Sequence, residues 1–155
     1  MLVLAMTGAS TPAHAEGFTI TESKPISEVW INPGLYSVHF QRDKGFNDNN
    51  LGFGAEYRYS TISSVTAGVI DNSDRQTSHY VGWYWQPVSL GPIRLGGVAG
   101  AMDGYPKFRD GGWFPVVLPA ASVEYKRVGL NVLVIPTYKD RVHGAIAFQL
   151  KLKVF

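Results

Sequence analysis

The chain has 155 residues, no cysteine, and 14 Lys+Arg against 12 Asp+Glu, for a formal net charge of +2. Charged residues are 17% of the chain, below the roughly 25% of ordinary soluble domains, while its 17 glycines exceed the usual share of about 7%. A disulfide scaffold, a thiolate metal site and a cysteine nucleophile are excluded, and the even charge balance argues against a nucleic-acid partner.

The first fifteen residues have the pattern of a secretory signal peptide. Leu2–Met6 is a short apolar run, and small residues follow as far as Ala13–Ala15, which has the A-x-A form of a cleavage site. We therefore expect residues 1–15 to be a signal peptide and residues 16–155 to form a single exported domain. Because no later stretch holds 18 consecutive apolar residues, a transmembrane helix is not expected.

From residue 35 onward, apolar and polar side chains alternate, as they do in β-strands that have one apolar face. In Leu51–Ser60, for example, every second residue is apolar or aromatic, and the residues between are glycines, charged residues and a serine. Eight such segments are predicted, and strands of about 9–11 residues suit a small transmembrane barrel. The predicted strands are 35–41, 51–60, 63–70, 78–86, 93–102, 114–125, 130–136 and 144–155.

The connections between these strands alternate in length. They are long at 42–50, 71–77, 103–112 and 138–143, and short at 61–62, 89–92 and 126–129. Long external loops and short periplasmic turns are typical of outer-membrane barrels, and a closed barrel is the only strand structure that pairs all its backbone groups in lipid. The expected fold is an all-β, eight-stranded antiparallel transmembrane β-barrel, a monomer in the outer membrane of a Gram-negative bacterium.

A soluble lipocalin-like barrel with the same number of strands is the alternative. It requires the opposite orientation of the same alternation, with the apolar faces inside and the polar faces outside. The low charge and the aromatic faces favour the membrane barrel, because they form more apolar surface than a small soluble barrel exposes.

Three polar residues fall on the faces expected to point into the lumen. His39 is a candidate proton carrier, since an imidazole exchanges protons near neutral pH, but it also suits a polar interior position held by Glu56 or Arg58. Glu56 and Arg58 share one face, and an unpaired buried charge is costly. We therefore expect those two to be paired structural residues.

No metal or cofactor site is expected. The four histidines, at 14, 39, 79 and 143, have no paired spacing, and the polar runs 47–50 and 71–74 lack the spacing of a calcium loop. No helical pattern follows Gly96–Gly100, so small residues that fit a narrow lumen explain this run better than a nucleotide-binding loop.

Two segments near the C-terminus carry a resemblance to a known family. Trp113–Tyr125 contains the pattern Pro-x-x-x-Pro-x-Ala-Ser-Val-x-Tyr, and Val134–Tyr138 reads Val-Ile-Pro-Thr-Tyr. Together they resemble the C-terminal half of the PagP-type lipid A palmitoyltransferases, which are eight-stranded outer-membrane barrels. A weaker similarity extends over 35–41 and 71–87, so the recognisable part covers about a third of the chain.

The resemblance implies transfer of a palmitoyl chain from a phospholipid to lipid A, without a cofactor. The family's catalytic histidine matches His39, and its serine matches Ser73. The aspartate that precedes this serine in the family falls on Asn72, with Asp71 one residue earlier. An amide does not take up a proton as a carboxylate does, so this position departs from the family pattern.

Two further features of the family concern the barrel wall and the N-terminus. The prolines that open the wall to lipid match Pro119 and Pro136, and proline weakens strand pairing because it has no N–H to donate. The family's N-terminal amphipathic helix has at most one turn as a counterpart here, at 26–30.

Three functions remain open from the sequence. The first is an outer-membrane acyltransferase or acyl hydrolase that acts on phospholipid and lipid A, with His39 as the base, Ser73 as its hydroxyl partner, and Asp71 or Asn72 assisting. The second is a small non-catalytic barrel with a structural or binding role. The third is a soluble lipocalin-like lipid carrier.

Overall fold

Nine β-strands and a short 3₁₀ turn at Arg109–Gly111 make up the regular structure of the described residues. The structure is a computed structural model that describes residues 17–40, 49–72, 74–106, 109–136 and 144–155. The expected signal peptide at 1–15 and the candidate residue Ser73 lie outside these ranges. The strands are β1 (Phe18–Ile20), β2 (Pro25–His39), β3 (Asn49–Ser60), β4 (Ser63–Asp71), β5 (Thr77–Leu90), β6 (Ile93–Met102), β7 (Phe114–Tyr125), β8 (Val128–Ile135) and β9 (Ala145–Lys153).

Strands β2 to β9 form a closed antiparallel barrel. Each strand pairs with the next along the chain, and β2 pairs with β9 to complete the ring. The expected all-β, eight-stranded antiparallel barrel is therefore confirmed, and all eight predicted strands are present. The described residues contain no helix that is long and apolar enough to cross a membrane.

The segment before residue 35 differs from the prediction. Strand β2 begins at Pro25, so residues 26–30 are extended and do not form a helical turn. The additional strand β1 pairs with Val88–Leu90, where β5 runs beyond its last pairing with β4. The backbone N–H of Thr61 donates to the carbonyl of Lys24 (2.9 Å), which holds the chain between β1 and β2 against the β3–β4 turn.

The two ends of the barrel differ in their connections, as predicted. Two-residue turns at 61–62, 91–92 and 126–127 join strands at one end, which we call the short-turn end. The connections at the other end, which we call the long-loop end, span 40–48, 72–76, 103–113 and 136–144. Lys126 and Gly91 both have positive φ (57° for each), the backbone conformation that such tight hairpin turns require.

Side chains that point out of the barrel are predominantly apolar. Tyr57, Trp83, Val117 and Leu150 are exposed on four different strands, whereas the neighbouring positions on the same strands are more buried. The lumen is polar toward the short-turn end. This orientation is the opposite of the one that the soluble lipocalin-like alternative required.

The half of the lumen nearer the short-turn end is filled by hydrogen-bonded and charged side chains, which we call the polar plug. All eight barrel strands contribute at least one residue to it, so it links the complete ring. Its members are Glu28, Trp30, Glu56, Arg58, Ser64, Gln86, Arg94, Ser122, Glu124, Asn131, Gln149, Lys151 and Lys153.

Every charged member of the polar plug is paired. Lys151 lies 3.0 Å from Glu56 and 2.7 Å from Glu124, and its ammonium sits 4.8 Å from the centre of the Trp30 ring. Arg58 pairs with Glu28 (3.1 Å) and Glu124 (3.6 Å). Glu56 and Arg58 are thus paired residues, as expected, but their partners come from other strands, and both belong to the plug.

Two lysines of β9 allow the contribution of the plug to be tested. Lys151→Ala leaves Glu56 buried without its cation, and breaking a buried ion pair in this way costs about 3–5 kcal/mol of unfolding free energy. Lys153→Ala removes a half-exposed pair with Glu28, and we expect a loss of about 1 kcal/mol or less. Urea unfolding in detergent micelles measures both variants, and equal losses would contradict the importance of the buried pair.

Candidate functional site

A cavity of about 420 Å³ occupies the lumen between the polar plug and the long-loop end. Its wall is predominantly apolar and includes Ile70, Tyr84, Val98, Phe114, Leu118 and Leu133, which come from five strands. Small-molecule pockets range over about 300–1,000 Å³, and an eight-stranded barrel has room for one slender ligand. The cavity therefore suits a single narrow apolar group.

Polar side chains line the cavity where it approaches the long-loop end. They include Ser37 and His39 of β2, Asn50 of β3 and Asp74 in the β4–β5 loop. The Ser37 hydroxyl donates to the Asn50 side-chain oxygen (2.6 Å), and the Asn50 amide donates to the carbonyl of Asp71 (2.8 Å). Asn50 thus connects the ends of β2, β3 and β4 beneath the mouth of the cavity.

His39 faces the lumen because the alternation of β2 shifts by one residue below it. Asn32 pairs with Gly54 and Leu35 pairs with Asn50, so residues three apart both face inward. The shift is located at Gly34, whose φ of +105° is a conformation that only glycine adopts readily. The Gly34 N–H donates to the Asn32 side-chain oxygen (3.0 Å). As a result of the shift, the His39 side chain points into the barrel, and the residue is only 5% exposed.

Asn72 is completely buried and organises the β4–β5 loop. Its amide nitrogen donates to the Ser78 hydroxyl and to the carbonyl of Gly104 (2.8 Å each). Its side-chain oxygen accepts from the backbone N–H groups of Asp74 (2.9 Å) and Gln76 (3.1 Å). Asn72 therefore shapes its own loop and ties it to the β6–β7 loop.

A second set of contacts holds the β6–β7 loop to strand β5. The backbone N–H of His79 donates to the Asp103 carboxylate (2.6 Å), and this bond lowers the pKa of Asp103. The His79 imidazole also lies 3.2 Å from Asp103, on the exposed side of the barrel. The β6–β7 loop is thus attached to β5 at its first residue.

The predicted residues of the β4–β5 region take different positions. Asp71, the last residue of β4, is exposed on the outward face, and its neighbour Asn72 is buried. Ser73 lies outside the described residues. The structure thus brings His39 to the cavity and does not bring Asp71 there.

The hydrogen bonds of the Asn72 amide predict that an aspartate at position 72, as the resembled family has there, would destabilise this barrel. Asn72→Asp removes both N–H donors and places a carboxylate against the carbonyl of Gly104, so we expect a loss of about 1–3 kcal/mol in unfolding free energy. Asn49→Asp is the same substitution at an exposed position of the same barrel end and should change stability far less. Thermal unfolding in detergent compares the two, and an Asn72→Asp variant as stable as wild type would contradict this role.

The wall between β7 and β8 is open toward the long-loop end. The ladder between these strands stops at the pair Ala120–Leu133. Beyond it, residues 114–119 pair with β6 and residues 134–135 pair with β9, and no pairing between β7 and β8 is seen among the described residues. Within the described parts of the two strands the ladder therefore lacks the pairs 119–134 and 118–135, which leaves an opening in the wall.

The two predicted prolines flank this opening. Pro119 is the first residue of β7 beyond the ladder, and Pro136 directly follows β8. Neither residue has an N–H to donate, so each removes one possible backbone hydrogen bond at the border of the opening. Pro136, together with Pro115 and Val117, also lines the cavity, so the opening leads from the outside of the barrel to the cavity.

Sequence reasoning assigned no role to Asp74 or Asn50, which the structure brings to the cavity. The position of Asp74 in the same polar loop as Ser73 was a signal for it. Asn50 had no comparable signal, because its role depends on contacts with two other strands. No known protein family matches the chain, and a search of curated proteins also finds no match.

Proposed function

We propose that the chain is an outer-membrane enzyme that transfers an acyl chain from a phospholipid to lipid A, or releases it to water. The observation that supports this most directly is the apolar cavity with His39 at its polar mouth. The volume and the apolar lining of the cavity suit one hydrocarbon chain, and we place the ester at the end of such a chain beside the His39 imidazole. The resemblance of residues 113–138 to the PagP-type palmitoyltransferases supports the same proposal.

The outer surface of the barrel is consistent with insertion into a lipid bilayer. Its exposed side chains are apolar along the strands, and tyrosines and tryptophans such as Tyr57, Tyr59 and Trp85 lie toward the short-turn end. The Trp83 indole donates to the Tyr59 hydroxyl (2.7 Å), which satisfies a polar group that would otherwise face lipid. Aromatic belts of this kind occur at membrane interfaces.

The proposed reaction is an acyl transfer between two oxygens. His39 accepts the proton of the attacking hydroxyl, whose oxygen forms a bond to the ester carbonyl carbon of the phospholipid. The tetrahedral intermediate then collapses and breaks the original ester bond, and the imidazolium returns the proton to the departing lysophospholipid oxygen. With a lipid A hydroxyl the product is a new ester, and with water it is a fatty acid.

Ser73 is proposed as the hydroxyl partner of His39, as the resemblance implies. The residues on either side of it, Asn72 and Asp74, belong to a loop held in shape by the Asn72 side chain. Asp74 of that loop lines the same cavity as His39. Asn72 is proposed here to hold the loop, since its N–H groups already donate to Ser78 and Gly104.

The experiment that tests the proposed function uses the purified barrel in mixed micelles with radiolabelled phospholipid and lipopolysaccharide. Wild type should transfer or release label, and His39→Ala should lower the rate by at least about a hundredfold, because removing a general base costs about 10²–10⁴ in rate. His79→Ala changes an exposed histidine outside the cavity and serves as the control.

Three outcomes separate the candidate functions. Label found in lipid A supports the transferase, and label found only in fatty acid supports the hydrolase. No release of label, or equal rates for wild type and His39→Ala, would contradict the enzyme and favour the non-catalytic barrel.

The opening between β7 and β8 is proposed as the route by which lipid reaches the cavity. Pro119→Cys together with Val134→Cys places two cysteines across the opening, at positions that would face each other if the ladder continued. Because the chain has no native cysteine, oxidation forms only this disulfide. The oxidised variant should lose at least about nine-tenths of its activity, and reduction should restore it.

A second double variant provides the control for this closure. Val123→Cys and Leu130→Cys lie opposite each other in the part of the ladder that is already paired. Oxidation of this pair should leave the activity unchanged. Full activity of the oxidised Pro119–Val134 variant would rule out lipid access through the opening.

A further inference from the structure

We propose that the barrel binds anionic phospholipid at one side of its short-turn end, around the turn between β7 and β8. The turn residues Lys126 and Arg127 provide the charge that meets the lipid phosphate, and the apolar residues beside them contact the lipid chains. The inference rests on the part of the proposed function that places the barrel in a bilayer. It does not depend on His39 or on acyl transfer.

The β7–β8 turn consists of two exposed cations. Lys126 and Arg127 follow each other directly between the last residue of β7 and the first residue of β8. None of the ion pairs formed by the described residues includes either of them. Adjacent like charges in one tight turn repel each other, and an anion bound between them relieves this repulsion.

Contacts with the strand ends hold both cations at the rim of the barrel. The Arg127 guanidinium donates to the carbonyl of Lys153 (3.2 Å), and the Lys153 N–H donates to the carbonyl of Arg127 (2.8 Å). The Lys126 ammonium lies 5.5 Å from the centre of the Tyr125 ring. One cation is thus attached to the end of β9 and the other to the end of β7, and less ordering is needed when an anion binds.

The outward residues around the turn are apolar or aromatic. Tyr125 and Phe155 are 75% and 73% exposed, and Val128, Leu152 and Val154 are also exposed. Aromatic residues flank the apolar band of a membrane barrel where lipid headgroups meet hydrocarbon, so cations beside them lie at the level of the lipid phosphates. Charge next to exposed apolar surface fits a phospholipid, whereas a soluble phosphate would use the charge alone.

The charge is confined to one side of the short-turn end. The turns at 61–62 and 91–92 contain no charged residue. Lys24, beside the β3–β4 turn, lies 3.5 Å from Glu22, which offsets its charge. The polar plug inside the lumen has one more cation than carboxylates among its described members, so it does not cancel the charge of the turn.

Two fluorescent labels at matching positions test the proposal. Val128→Cys places a label on the first residue of β8, after the charged turn, and Ile93→Cys places it on the first residue of β6, after an uncharged turn. Both residues are exposed, and the chain has no native cysteine to compete for the label. Each barrel is reconstituted in phosphatidylcholine bilayers that contain a small share of brominated phosphatidylglycerol or brominated phosphatidylcholine, whose bromine atoms quench a nearby label.

Phosphatidylglycerol should be enriched over phosphatidylcholine about tenfold beside residue 128 and far less beside residue 93, since each cation near an anionic lipid contributes about fivefold. Lys126→Gln combined with Arg127→Gln should lower the enrichment beside residue 128 to that beside residue 93. Lys126→Arg combined with Arg127→Lys keeps both charges and should keep the enrichment. Added salt should weaken it, because exposed charges are screened.

Equal enrichment beside the two labels, or enrichment that survives the loss of both charges, would overturn the proposal. Displacement of phosphatidylglycerol by glycerol phosphate in the buffer would also overturn it, because the site would then take a soluble anion. A barrel that enters phosphatidylcholine bilayers without lipid preference removes this inference and leaves the proposed function standing. A barrel that does not enter such bilayers removes the membrane placement on which both depend.

Discussion

The burial of charge inside a narrow barrel is the constraint on which the rest of this structure depends. Isolated charges in such a lumen would be very costly, so each carboxylate of the polar plug must meet a cation from another strand. Lys151 meets this requirement by contacting Glu56 and Glu124 together while resting on the Trp30 ring. Because these contacts cross the ring, they fill the lumen at the short-turn end and confine any large cavity to the other half.

This division of the lumen places an unusual demand on β2. The strand must direct Trp30 into the polar plug and His39 into the cavity, yet these residues are nine positions apart. On a regular strand, side chains an odd number of positions apart point to opposite faces. The shift at Gly34, supported by the Asn32 side chain, resolves the conflict and is as necessary to the site as the histidine itself.

Alternation and connection length were sufficient to predict the eight-stranded barrel, because one face of nearly every strand is apolar. They missed the first part of β2, where Pro25, Pro33 and Gly34 interrupt the pattern, and they missed β1, which is only three residues long. The inward orientation of His39 followed from the pattern of its own segment. The partners of Glu56 and Arg58 did not, since ion pairs between distant strands depend on barrel closure and register. The cavity position of Asp74 depends on how Asn72 folds its loop, which no local pattern records.

The opening between β7 and β8 lies in the half of the barrel that contains the cavity and not in the half that contains the polar plug. The polar plug fills one end of the lumen, and Ser37, His39 and Asn50 make the other end polar, so the proposed entry through the side spares a long apolar chain the crossing of a polar mouth. Pro119 and Pro136 remove two backbone donors in the half of the wall that borders the cavity, while the ladder beside the polar plug stays intact. Among the described residues, β7 and β8 thus lose their pairing in the half of the barrel that the polar plug does not fill. The opening there connects the outer surface with the cavity that His39 and Asp74 line.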